Sequence, residues 1–348
     1  MSVCNPFSFL NSLICRAQRI AMRRAPVRLR LWAMRPFFVV VCVFLQVTAY
    51  GACDRCRALD NGCGQPSAVL LEVLETFGIM HDGTWPCIQA ATERAWLSHG
   101  RNVDLQDIPP IPDVNLERTY SLFTRLGMTQ TFSPEETWYD YGVVLGSWAP
   151  IVRQRLWFLK KAWDSGVRFS TLVFLTGDRP LDPKIESEKA LTDPACSPYP
   201  FREGWTWKGP LPENETGMML LMFDQLALPP EWRTMTFVVA DAPKPPGFTR
   251  PHTEHTLIKW LEMHPQPGTM LVISDQPFIC RQEEVLKPFL PLDFEMETVG
   301  AGFPFERLQQ EPRGTAILLA ELAYRIKLYC ETVSTRTGSA CLSSAPCL

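Results

Sequence analysis

Apolar residues follow two different rhythms along this chain. Over residues 65–127 they recur at helical spacing: Ala68, Leu71, Val73, Leu74, Phe77 and Ile79 form one amphipathic segment, and Leu116, Tyr120, Phe123 and Leu126 form another. The proline-rich run at 108–112 reads as an extended spacer between them. From residue 134 the rhythm changes. Short continuous apolar runs at 141–145, 171–175, 235–239, 270–273 and 294–299 predict strands, and the stretches 150–164, 213–226, 253–263, 279–290 and 315–330 predict helices between and after them. Strands that are apolar throughout, separated by helices, predict a mainly parallel sheet covered on both faces. The expected fold is therefore α/β, a three-layer Rossmann-like sandwich with an N-terminal helical extension. A polar excursion at 181–212, rich in Pro and Trp, interrupts the alternation and reads as an insertion able to cover the strand ends.

A separate signal lies at the N-terminus. Residues 37–45 are continuously apolar, follow Arg23, Arg24, Arg28, Arg30 and Arg35, and lead to Ala49, Gly51 and Ala52. A positive flank, a short apolar core and small residues at its exit make a signal-peptide pattern; an uncleaved anchor is the other reading. Met22 and Met34 are alternative starts, which would place residues 1–33 outside the translated protein. The chain thus divides into a signal or anchor (1–52), a helical lead-in (53–133), an α/β domain (134–330) and a Cys/Ser-rich tail (331–348). Either form of the head directs the body across the membrane, to the inner membrane or periplasm.

Composition sharpens this picture in two ways. With 34 Lys+Arg against 37 Asp+Glu the net charge is −3, and residues 1–52 hold seven Arg and no acid, so the body carries 27 basic and 37 acidic groups. An acidic body argues against nucleic acid as a partner. Nine of the 12 Cys follow residue 52. Cys53-x-x-Cys56 followed by Cys63 suits a metal knuckle or a redox pair, although a second close Cys or His pair is missing. In an oxidising compartment terminal disulfides are the favoured reading. The odd count leaves at least one thiol free or intermolecular, and Cys280, at the apolar start of a helix, reads as buried.

In an open parallel sheet, ligands bind at the carboxyl ends of the strands. Here those ends carry Gly146 and Ser147; Thr176, Gly177, Asp178 and Arg179; Asp241; and Ser274, Asp275 and Gln276. Neither a Gly-x-Gly-x-x-Gly nor a Walker loop is present, which speaks against ordinary dinucleotide or nucleoside-triphosphate binding.

The ordered pieces Val143-Val144-Leu145-Gly146, Arg155-Leu156, Val173-Phe174-Leu175-Thr176-Gly177-Asp178, Glu215-x-x-Met218, Arg250-x-x-Thr253-x-x-Thr256 and Leu271-Val272-Ile273-Ser274 leading to Arg281 are similar to those of the YdcF/SanA/ElyC-like family. The similarity spans about residues 140–300. It implies a Rossmann-like fold behind a membrane or export segment, an association with envelope biogenesis, and a polar site at the strand ends, without a family-wide reaction. Members commonly have a His three residues after the position of Asp275, where this chain has Phe278; an acid or base role for that His would be lost here or moved to His252 or His255.

Together these readings nominate a site for an anionic small molecule or envelope lipid precursor, bearing phosphate or carboxylate. Gly146, Ser147, Arg155, Gly177, Arg179, Arg250, Thr253, Thr256, Ser274, Gln276 and Arg281 are its candidate ligand-binding residues, because guanidiniums and helix N-termini suit such groups. Glu215 and Asp178 are the candidate proton-transfer groups. The competing reading pairs Arg155 and Arg281 with Asp178, Glu215 or Asp275, so that they tie loops together. His252 and His255, spaced to face one metal with Asp241 or Asp178 as an oxygen ligand, also suit a plain helix start capped by Thr253, and no metal is expected. Trp205 and Trp207 can stack on a sugar ring or rest at a membrane surface. A non-catalytic binding or assembly factor with the same pocket is the alternative to an enzyme.

Overall fold

The structure, a computed structural model, describes residues 56, 59–97, 109–112 and 115–337. The signal or anchor reading of residues 1–52 falls outside them, as does the tail beyond 337. No helix among the described residues is long and apolar enough to cross a membrane.

Five strands form one parallel sheet: β1 (Trp138–Leu145), β2 (Arg168–Gly177), β3 (Thr236–Ala242), β4 (Thr269–Asp275) and β5 (Glu295–Ala301), in the order β3-β2-β1-β4-β5. This is the α/β, Rossmann-like arrangement expected. Each helix between strands covers one face. Helices α4 (Ala149–Asp164) and α6 (Glu215–Gln225) pack Val152, Leu156, Leu159, Met218, Met219 and Met222 against Val144, Leu172, Phe174, Leu271 and Ile273. On the opposite face, Leu257 and Trp260 of α7 (Thr253–Leu261) and Leu286 of α8 (Ile279–Leu286) meet Val143, Leu145, Val173, Leu175, Met270 and Val272. Odd and even strand positions thus serve different layers, which is why the runs are apolar throughout rather than alternating. The chain places helices on one face while the order runs outward through β2 and β3, then on the other through β4 and β5, as right-handed crossovers require. The strand order therefore reverses between β1 and β4.

The lead-in builds a second core. Helices α1 (Ala68–Thr76), α2 (Trp85–Trp96) and α3 (Leu116–Arg125) pack Leu70, Val73, Leu74, Ile88, Trp96, Leu122 and Phe123 against Leu318, Leu319, Leu322 and Ile326 of the closing helix α10 (Gly314–Thr337). Ser67 and Asn115 start α1 and α3 by accepting from the amides of Leu70 and Arg118. Lead-in and sheet belong to one compact unit. α10 also runs past residue 330 to Thr337, into the expected tail. A disulfide joins Cys56 to Cys280, 224 residues apart in sequence, so Cys280, buried as expected, is a staple between the lead-in and α8. Cys87 is disulfide-bonded as well.

The helix expected over 279–290 divides into α8 and a 3-10 turn, Lys287–Phe289, because Pro288 cannot donate into an α-helical ladder. Helices α5 (Glu188–Thr192), inside the insertion, and α9 (Phe305–Gln310), before α10, were not anticipated, and α2 lies between the two amphipathic segments named for the lead-in.

Candidate functional site

The centre of the strand-end rim is a glycine covered by a carboxylate. Gly146, directly after β1, donates its N–H to Leu175 O at 2.7 Å. A Cβ on Gly146 would lie 2.0 Å from Glu215 Oε1, so the Glu215 side chain occupies the space a larger residue would need. Glu215 is the first residue of α6, whose start is fixed by Asn214 accepting from the Gly217 amide at 3.0 Å. Burial pushes the Glu215 carboxyl up from the usual range; the charges of Arg179, Arg250 and Arg155 act in the opposite sense.

Arg179, two residues past β2, holds this carboxylate. Its Nε donates to Glu215 Oε2, and its two terminal nitrogens donate to the two oxygens of Glu186, all at 2.9 Å. Nη2 also donates to Ser147 O at 3.2 Å. Burial works against the Arg179 charge, but Glu186 and Glu215 outweigh it and hold its pKa above the ordinary value. Glu186 in turn accepts the Ala149 amide at 3.1 Å. A carboxylate from the insertion therefore sits at the N-terminus of α4, where a Rossmann-like fold commonly receives a ligand's phosphate. No feature of the sequence marked Glu186, because only the fold of the insertion brings it there.

At the point where strand order reverses, Arg155 bridges the carboxyl ends of β1 and β4. Its Nε and Nη2 donate to Asp275 Oδ1 at 3.0 and 2.7 Å, and its Nη1 donates to Leu145 O and Gly146 O, each at 2.8 Å. Both side chains are buried. This is one of the loop-tying pairs weighed from the sequence. Around it the β4–β5 side of the rim is closed. Ser274 and Gln276 are buried, and Gln276 Nε2 donates to Gly127 O and Gln130 O of the lead-in. Arg281 turns away: its Nε donates to both oxygens of the buried Glu321 on α10, and its guanidinium lies over Phe278 and Tyr324. Both Arg281 and its acid belong to the α8–α10 seam.

The β1–β3 side is more open. Thr176 and Thr216 hydroxyls meet at 2.9 Å, and Thr216 donates to Asp241 Oδ1 at 2.8 Å. Asp178 and Asp241 are exposed. Gly177 is overlain by Pro251, whose Cγ a Cβ would approach to 2.7 Å, and this contact brings the loop carrying Arg250 onto the rim. Arg250 is exposed, and its charge reaches Glu215. Thr256 is buried and donates to Thr253 O at 2.8 Å. The N-cap of α7 is His252, one position earlier than the cap expected at Thr253, which is instead the first helical residue. Thus Gly146, Ser147, Glu215, Gly177, Asp178, Arg179, Arg250, Thr253 and Thr256 gather along one lip, Arg155 closes its inner end, and Ser274, Gln276 and Arg281 lie on the sealed side.

The insertion packs on the sheet's helical layer as well as reaching the rim. Arg153 of α4 donates to Ala190 O, Leu191 O and Gln225 Oε1, and burial lowers its pKa to about 10. Trp205 donates to Asp224 Oδ2 on α6 and stacks near Trp207, and both rest on the core of the α4–α6 side. The expectation of a lid bearing stacking tryptophans gives way to a brace that contributes Glu186.

Fold and site define a Rossmann-like α/β protein with a charged strand-end rim. No family model, curated protein or solved structure matches the chain.

Proposed function

We propose that this is an exported α/β protein, similar to the YdcF/SanA/ElyC-like family, that binds an anionic phosphate- or carboxylate-bearing ligand on the β1–β3 lip and acts on it through Glu215. The ligand class is a phosphorylated envelope precursor. One observation carries the reading: a carboxyl buried against Gly146, gripped by Arg179 and within reach of the Arg250 charge, resists ionisation and so can exchange a proton where an anion docks. Asp178, exposed at the same lip, is the second proton-transfer candidate. The Cys56–Cys280 disulfide supports an address outside the reducing cytoplasm, beyond the membrane that the N-terminal segment would engage.

The second reading is a non-catalytic binding or assembly factor using the same lip. It is favoured by the internal pairing of Arg155, Arg179 and Arg281 with Asp275, Glu186, Glu215 and Glu321. Binding and turnover of diphosphate and of a short-chain prenyl diphosphate separate the two. Arg250→Ala weakens binding of both probes about tenfold while the melting temperature holds. Glu215→Gln retains binding and loses turnover if the protein is an enzyme; a wild type that binds without turnover establishes the factor. Absence of binding to either probe removes the anion reading.

A further inference from the structure

The start of α7 carries a set of groups that the anion reading does not use. One donor atom from each of His252, Glu254 and His255 lies within 4.8 Å of the other two, and all three residues are half-buried. His252 Nδ1 stands 3.4 Å from Glu254 Oε1. Phe248 packs edge-on against both imidazoles, with ring centres 4.9 and 5.4 Å away, and so restrains their orientation. His255 Nδ1 accepts the His252 amide at 3.0 Å, which keeps the lone pair of the neutral ring on Nδ1. The exposed carboxylates of Asp178 and Asp241 end the neighbouring strands, and Pro251 ties this helix start to Gly177.

We infer that His252, Glu254 and His255 form a binding site for a divalent transition-metal ion such as Zn2+. Two imidazoles and one carboxylate are a donor set suited to Zn2+, Co2+ or Ni2+ rather than to Mg2+ or Ca2+, and three protein ligands leave a coordination position open. The carboxylate offsets part of the ion's charge, as the positive end of the helix requires. The His252 amide gives up its bond to Nδ1 when the ion takes that lone pair, and water can replace it at this half-exposed position. The aspartates expected from the sequence to complete such a site are replaced in this role by Glu254, within the same turn. The site does not depend on the anion reading.

The test is metal retention by the purified full-length chain, stripped with chelator, loaded with Zn2+ and dialysed. Wild type is expected to retain one equivalent. Glu254→Gln, a nearly isosteric change, is expected to weaken retention by at least about tenfold, and the His252→Ala/His255→Ala double variant to abolish it. Loaded with Co2+ instead, wild type should show visible ligand-field bands without the intense thiolate charge-transfer absorption that Cys63 or Cys196 would generate. Failure of wild type to retain Zn2+, a thiolate band, or undiminished retention in Glu254→Gln overturns the proposal. Should the double variant not fold, Glu254→Gln decides alone. Diphosphate binding is measured on metal-free protein, so loss of one result leaves the other standing.

Discussion

The two halves of the strand-end rim are built from similar residues and serve opposite ends. On the β4–β5 side, Ser274, Asp275 and Gln276 are withdrawn from solvent, Gln276 is tied to the lead-in, and Cys280 is stapled to Cys56. On the β1–β3 side, Asp178, Asp241 and Arg250 remain exposed around a buried Glu215–Arg179–Glu186 group. Both halves pair arginines with carboxylates. On the closed side the pairs join layers; on the open side they hold a carboxyl where solvent and solutes can reach its neighbours. Charge composition alone does not separate structure from site, and the difference lies in what covers each half.

That contrast can be broken most directly at its inner boundary. Arg155→Ala leaves the Asp275 carboxylate and two strand-end carbonyls buried without their donor, and a loss of about 3–5 kcal/mol in unfolding free energy is expected from chemical denaturation. A variant of unchanged stability would mean that Arg155 belongs to the open half. Next, the Cys56→Ser/Cys280→Ser double variant removes the clamp on the closed half; a loss of about 2–4 kcal/mol is expected, equal to that on full reduction of this bond in wild type. In the open half, Glu186→Gln keeps the shape but weakens the charged bonds to Arg179 and the cap on α4, with an expected cost of about 2 kcal/mol.

The smallest effect is read as a slope. Glu284, on α8 beside Arg325 at 3.8 Å, has its carboxyl pushed by burial from 4.5 to about 7. The folded protein therefore holds a proton that the unfolded chain has released, and Glu284 makes stability fall as pH rises from about 4.5 to about 7. Glu284→Gln should flatten melting temperature against pH across that window, matching wild type below about pH 4.5 and exceeding it above about pH 7. An unaltered slope would mean that Glu284 is not enclosed by the α8–α10 seam.

Much of the fold was legible because its signals are local. Apolar runs the length of strands, interrupted by Gly146 and Gly177 and alternating with amphipathic helices, leave few alternatives to a covered parallel sheet. The positions of Gly146, Arg179, Glu215 and Arg250 at one lip followed from the same reasoning, since strand ends of a parallel sheet share an edge. The partner of Arg281 was not legible, because Glu321 lies on a helix 40 residues away that carries no mark of the pairing. Glu186 was missed for the same reason: an acid in a polar insertion is indistinguishable from its neighbours until the loop folds back.

By its own pattern, then, the chain determined which segments become the five strands and the helices that cover them, and that the strands lie parallel beneath two helical layers, because periodicity and continuous burial are written residue by residue. The tertiary structure alone decided which arginine meets which acid, that Cys56 meets Cys280, and which half of the rim is sealed. Those outcomes depend on distances between segments remote in sequence, and a charge buried at such a meeting must find whatever partner the packing brings to it.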